Sequence, residues 1–122
     1  MIYKTPFGNE VTQSTYEDMR DSFLVECQSL VTEHMRNYSW DNILTIAKGR
    51  RYDKIVSTGT DDRPSIRVWG FIDKTNGNIL KAESWRKPAK HARGNIWEND
   101  RMQFMSAYGP SYMATIKSYY GA

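Results

Sequence analysis

The chain has 122 residues, 39% of them hydrophobic and 13% aromatic, with a net charge of +3. That length suits one compact core and leaves no room for a second, so residues 1–122 are expected to form a single domain, with the apolar area supplied by Trp40, Trp69, Trp85 and Trp97. The lone Cys27 excludes an internal disulfide, and with only His34 and His91 beside it no structural zinc site is expected.

In chain order, the N-terminal residues Met1 to Pro6 lack the basic flank and apolar stretch of a secretion signal, and no run of about 18 apolar residues follows, so a cytoplasmic protein without a membrane span is expected. Ser14 and Glu17 have capping-box spacing and predict the start of a helix. Phe23, Cys27, Leu30, Val31 and His34 or Met35 then mark one apolar stripe along a helix of about 20 residues. Asp41 and Asn42 predict the cap of a second, shorter helix through Ile43, Leu44, Ile46 and Ala47, closed by Gly49 and followed by Arg50 and Arg51.

From Tyr52 the apolar period changes to two. Residues Tyr52 to Thr58 and Ile66 to Ile72 predict strands, Gly59 to Pro64 a polar loop, Asn76-Gly77 a tight hairpin turn, and Ile79 to Ser84 the returning strand. The expected class is α+β: an antiparallel meander with one long and one short N-terminal helix packed on one face. Alternation along Ile66 to Ile72 places Arg67, Trp69 and Phe71 on one face, to be covered by the C-terminal tail, a ligand or another chain. Pro88 predicts a short helix through Ala92 ended by Gly94; residues Glu98 to Tyr108 are expected to form a mobile loop, and Tyr112 to Lys117 fits strand or helix equally.

Charge is distributed unevenly. Lys81, Arg86, Lys87, Lys90 and Arg93 face only Glu83 between residues 81 and 96, whereas Glu10, Glu17, Asp18, Asp21, Glu26 and Glu33 make the first helix acidic. A basic segment holding Trp85, Gly94 and Asn95 combines what a nucleotide needs: guanidinium forks for phosphate, an indole to stack on a base, a side-chain amide for a base edge or ribose, and a glycine for close backbone approach. The competing reading makes the cations a solvated rim and Trp85 a core residue. Catalysis is not expected, and neither is a cofactor or metal. Asp61 and Asp62 suit a solvated turn, His91 lacks a nearby carboxylate to orient its ring, and Lys81-Ala-Glu83 lacks a second acidic partner for a nuclease metal.

The run Gly77 to Ile96, with Ala107-Tyr108-Gly109 and Tyr112 downstream, resembles a segment of small bacteriophage proteins and, among them, the Thoeris anti-defence sponge family of the first type. That resemblance implies a viral protein in the cytoplasm of an infected bacterium, assembled as a dimer or from dimers, that sequesters a cyclic nucleotide immune signal without cleaving it. The implied ligand is a cyclic ADP-ribose isomer, with cyclic oligonucleotides at a further site in some members. It also implies Trp85 against adenine, Arg93 with Lys90 or Arg86 on the diphosphate, and Asn95 on a ribose or base edge. His91, Gly94 and Phe71 complete the expected ligand-binding set, and Arg20 is the candidate for another site. A single-stranded nucleic-acid-binding phage protein is the alternative, and a plain virion component is a third possibility. A thin core also favours a homo-oligomer.

Overall fold

The structure is a computed structural model that describes residues 2–120. A short hairpin of β1 (Tyr3–Lys4) and β2 (Glu10–Val11) leads into the long helix α1 (Gln13–His34). Five strands follow in simple sequential order: β3 (Asn42–Ala47), β4 (Tyr52–Gly59), β5 (Ile66–Asp73), β6 (Asn78–Ala82) and β7 (Pro88–Asn95). All neighbours are antiparallel. A second two-residue hairpin, β8 (Met105–Ser106) with β9 (Gly109–Pro110), precedes the terminal helix α2 (Met113–Tyr119). The fold is α+β, as the change of hydrophobic period at Tyr52 indicates.

Helix α1 starts earlier than the Ser14 spacing predicts, because Thr12 is the N-cap and its hydroxyl accepts the Thr15 amide proton at 3.1 Å. Such a cap contributes about 1 kcal/mol. The buried face runs through Tyr16, Arg20, Phe23, Cys27 and Val31 and packs on Leu44, Ile55, Trp69, Ile72, Ile79 and Ile96. Burial also pushes the Cys27 thiol well above its ordinary pKa, which leaves it unreactive.

Two segments expected to be helical are strands. Residues 42–47 form β3 because Ile43, Thr45 and Ile46 are β-branched and because Leu44 and Ile46, two apart, both turn to α1. Gln28 of α1 holds this outer strand from the side: its Nε2 donates to the Asn42 carbonyl at 2.9 Å, and its Oε1 accepts the Leu44 amide proton at 2.8 Å. Residues 88–95 form the opposite outer strand, where Pro88 occupies the first position and its missing N–H costs nothing. The segment after Trp97 is a series of turns, tied to α1 by the Arg101 guanidinium on Glu26 and by Arg101 Nη1 on the Ile96 carbonyl at 3.1 Å.

Strict alternation fails in β5. Ile55 pairs with Gly70 but Val56 pairs with Val68, so Trp69 is the extra residue of a β-bulge. In consequence Trp69 joins the core under α1 with its indole N–H on the Ala107 carbonyl at 3.1 Å, while Phe71 lies outside that cluster, beside Lys54 and Tyr52 of β4.

The most buried polar group is Asp53 of β4, with no exposed surface. Its Oδ2 accepts from the Tyr16 hydroxyl at 2.9 Å and from Arg20 Nη1 at 3.1 Å; Lys74 Nζ stands 3.3 Å from Oδ1, a charge contact rather than an aligned hydrogen bond. Removing one partner from a buried pair of this kind costs about 3–5 kcal/mol, because the remaining charge stays dry.

Desolvation, then the Asp53 charge and hydrogen bond, raise the Tyr16 phenol far above its ordinary value of 10.0. Because the folded state holds this proton more tightly than the unfolded chain, the associated stability is complete below pH 10 and is lost as pH rises beyond it. Tyr16→Phe should therefore lower stability by about 1–3 kcal/mol at neutral pH, with the gap to the parent protein narrowing above about pH 10. Urea unfolding of both proteins at pH 7 and pH 10.5 checks this.

Candidate anion-binding cleft

The site begins at the hairpin turn between β3 and β4. Lys48, Gly49, Arg50 and Arg51 reverse the chain there, and the turn is tight: a Cβ on Gly49 would lie 2.2 Å from the Tyr52 carbonyl oxygen. The Lys74 ammonium donates to the Gly49 carbonyl at 2.6 Å, and the Lys74 amide donates to the Arg51 carbonyl at 3.0 Å. Because the same ammonium contacts Asp53, the buried charge network is joined directly to the turn.

The second wall comes from the turn between β6 and β7, closed by the Glu83 and Ser84 amides donating to the Lys87 carbonyl at 2.9 and 3.0 Å. Its tip presents Trp85 and Arg86. Between the two turns lies a cavity of about 420 Å³, lined by Lys48, Arg50, Arg51, Lys54 and Arg86 with Tyr52 and Phe71 at its floor. Tyr52 and Phe71 meet edge to face, with ring centres 6.3 Å apart. Trp85 is 49% exposed, and Lys54 Nζ sits 4.4 Å from its ring centre, which ties the indole to the rim.

The charge of this cleft is largely uncompensated. Asp73 accepts from Arg51 Nη2 at 3.1 Å and holds that guanidinium above its already high ordinary value, and Glu17 comes within 3.7 Å of Lys48. Arg50, Lys54 and Arg86 pair with no carboxylate among the described residues. Clustered cations with a low-dielectric aromatic floor attract phosphate oxygens, and guanidinium forks bind them in pairs. Among the described residues no group of three or more His, Cys, Asp or Glu side chains could hold a metal ion.

The residues of the segment from Lys81 to Ile96 do not line a single cavity. Arg86 and Phe71 line the cleft, and Trp85 stands beside it against Lys54. Lys90 and His91 are exposed on the outer strand β7 and do not line it.

Arg93 is buried and staples the C-terminal segment, its Nε donating to the Ser111 carbonyl at 3.1 Å and its Nη1 to the His91 carbonyl. Burial lowers its pKa, and burial with the nearby Arg93 and Arg67 charges lowers that of Lys81, which donates to the Pro110 carbonyl at 3.1 Å. Gly94 packs under the turns, where a Cβ would come within 3.3 Å of the Arg101 carbonyl oxygen. Asn95 is a buried brace for the hairpin: its amide nitrogen donates to the Asn76 carbonyl and to Asn78 Oδ1, and its oxygen accepts the Trp97 amide proton. Arg20 belongs to the Asp53 network.

Sequence reasoning missed Lys48, Arg50, Arg51, Tyr52 and Lys54 as site residues. The signal was present as a glycine between basic residues joining two β-branched runs, which is a basic hairpin turn once residues 42–47 are taken as a strand.

Residues 7–110 match the model of a family of unknown function, DUF7717. The chain belongs to this family. The matched span of DUF7717 takes in α1, all five strands of the sheet and both turns that wall the cleft. No curated protein and no solved structure matches the chain significantly. Among the described residues, no helix is long and apolar enough to cross a membrane.

Gly49→Ala should deform the basic turn, because backbone rather than a movable side chain meets the new methyl group. The expected result is a stability loss of at least about 1 kcal/mol in chemical denaturation, together with amide shifts confined to residues 47–54 and their neighbours.

Proposed function

We propose that the chain binds a nucleotide-type anion in the cleft between its two turns and holds it without transforming it. The observation that carries this reading is the convergence of five cations on one aromatic-floored cavity, three of them without an acidic partner. A cavity of about 420 Å³ falls in the range that accommodates one small organic ligand, and Trp85 at its rim offers a face for a base.

In its specific form, the proposal makes the ligand a cyclic ADP-ribose isomer and the protein a viral anti-defence sponge in the cytoplasm of an infected bacterium. The resemblance of residues 77–96 supports this form, and Trp85 and Arg86 are the members of that segment that the cleft uses. The cleft is open on one side, so a homo-oligomer would complete its enclosure and slow ligand release. Binding of single-stranded nucleic acid is the alternative, and it requires cations tracking a longer path than this cavity offers.

Calorimetric titration with a cyclic ADP-ribose isomer, with pyrophosphate and with a short single strand separates these readings. The expected outcome is binding of the first two, weakened about tenfold by Arg86→Gln or Lys54→Gln and by added salt, with the cyclic nucleotide recovered intact after heat release. Failure of both small anions to bind would overturn the proposal; recovery of a cleaved product would replace capture with catalysis.

A further inference from the structure

A second concavity lies at the other end of β3, about 17 Å of extended strand from the basic turn. It has a volume of about 240 Å³ and is built from five separate parts of the chain: the end of α1, the 38–40 segment, the start of β3 at Asn42, the entry into β5 at Ser65 and Arg67, and the turn joining β8 to β9. Its walls are aromatic. Ring centres lie 6.3 Å apart for His34 and Tyr38, 5.5 Å for Tyr38 and Trp40, and 5.1 Å for His34 and Tyr108. Tyr38, Trp40 and Tyr108 are nevertheless 53%, 40% and 64% exposed. Large rings held together in contact with water are costly for a surface that contacts nothing.

The geometry is fixed by polar contacts. His34 Nε2 and the Tyr108 hydroxyl are 3.0 Å apart, and Arg67 Nη1 donates to the Tyr108 carbonyl at 2.9 Å. The Arg67 guanidinium lies 5.8 Å from the Tyr108 ring centre and pairs with no carboxylate among the described residues, so donors remain for a ligand. Asn42 also lines the concavity, and its side-chain amide makes no hydrogen bond within the protein among the described residues.

Together these features define what fits. Tilted and edge-on rings with exposed faces select a planar ring, the Asn42 amide offers a donor and an acceptor to a ring edge, and Arg67 selects a negative charge over a positive one. The volume is below that of sites for drug-sized ligands, which suits one planar ring system with one acid group whose remaining atoms extend past the open mouth. We infer that the concavity between His34, Trp40, Arg67 and Tyr108 is a binding site for a planar heteroaromatic ring that carries a single anionic group. This inference does not depend on the basic cleft. An aromatic carboxylate and a nucleoside monophosphate share the required chemistry.

The test is a set of separate titrations of isotope-labelled protein with adenosine 5′-monophosphate, nicotinate, adenosine and pyrophosphate, followed by amide and indole NMR signals. The expected result is that the monophosphate or nicotinate shifts the Trp40 indole N–H and the Arg67 and Tyr108 amides. Adenosine, without an acid group, should bind about tenfold more weakly, and Arg67→Gln should reduce the anionic ligand to the adenosine level while leaving distant signals in place. A response to the monophosphate identifies a nucleotide source and one to nicotinate an aromatic acid. Pyrophosphate should shift only residues around Arg51 and Arg86, so either reading can fail while the other stands. Absence of any Trp40 response to both anionic rings at millimolar concentration, or an Arg67→Gln variant that binds as well as the parent, would overturn the inference.

Discussion

The carboxylate of Asp53 organises the structure. A charge with no exposed surface is tolerable only if opposite charge and hydrogen-bond donors reach it from every side, and here they come from α1 through Tyr16 and Arg20 and from the β5–β6 connection through Lys74. Apolar packing of Phe23, Cys27 and Val31 holds α1 on the sheet without direction. The Asp53 contacts add direction, because any shift of register leaves a dry, unpaired ion.

The same network reaches the basic cleft. Lys74 spends one side of its ammonium on Asp53 and another on the Gly49 carbonyl, so the turn bearing Lys48, Arg50 and Arg51 is anchored to the core rather than free to extend. Anchoring matters because like charges repel: without it, Arg50 and Arg51 would separate from Lys54 and Arg86 until solvent screened them. Holding them close carries an electrostatic cost that a bound anion would relieve. The acidic α1 and the basic cleft are thus parts of one arrangement, with Glu17 and Asp73 pairing Lys48 and Arg51 while Arg50, Lys54 and Arg86 have no carboxylate partner among the described residues.

Much of this fold is legible in the sequence where one physical signal dominates. The stripe from Phe23 to Val31 fixes α1, the β-branched runs after Tyr52 fix the meander, and Asn76-Gly77 fixes its turn, with Gly77 at a φ of 83°. Residues 42–47 were misleading because Asp41 and Asn42 imitate a helix cap before Ile43, Leu44, Ile46 and Ala47, while pairing with β4 along all six residues decides the outcome. Residues 88–95 were misleading because proline and glycine at their ends imitate helix punctuation, while pairing with β6 decides the outcome. For the candidate cleft, Arg86 and Phe71, which line it, and Trp85 beside it stand out in the sequence by residue type. The commitments of Arg93 and Asn95 do not, since the fold brings their polar atoms to the Ser111 and His91 carbonyls and to Asn76, Asn78 and Trp97. The cations of the 48–51 turn lay hidden behind the helix expected before them.

The central claim is that a buried ion network shapes the cationic turn for anion capture, and one comparison tests it most directly. Asp53→Asn combined with Lys74→Gln leaves net charge unchanged and alters no residue lining the cleft. Pyrophosphate affinity of this double variant, measured by calorimetry at a temperature where circular dichroism shows the fold intact, should fall at least about tenfold as the turn relaxes. Affinity equal to that of the parent protein would contradict the account.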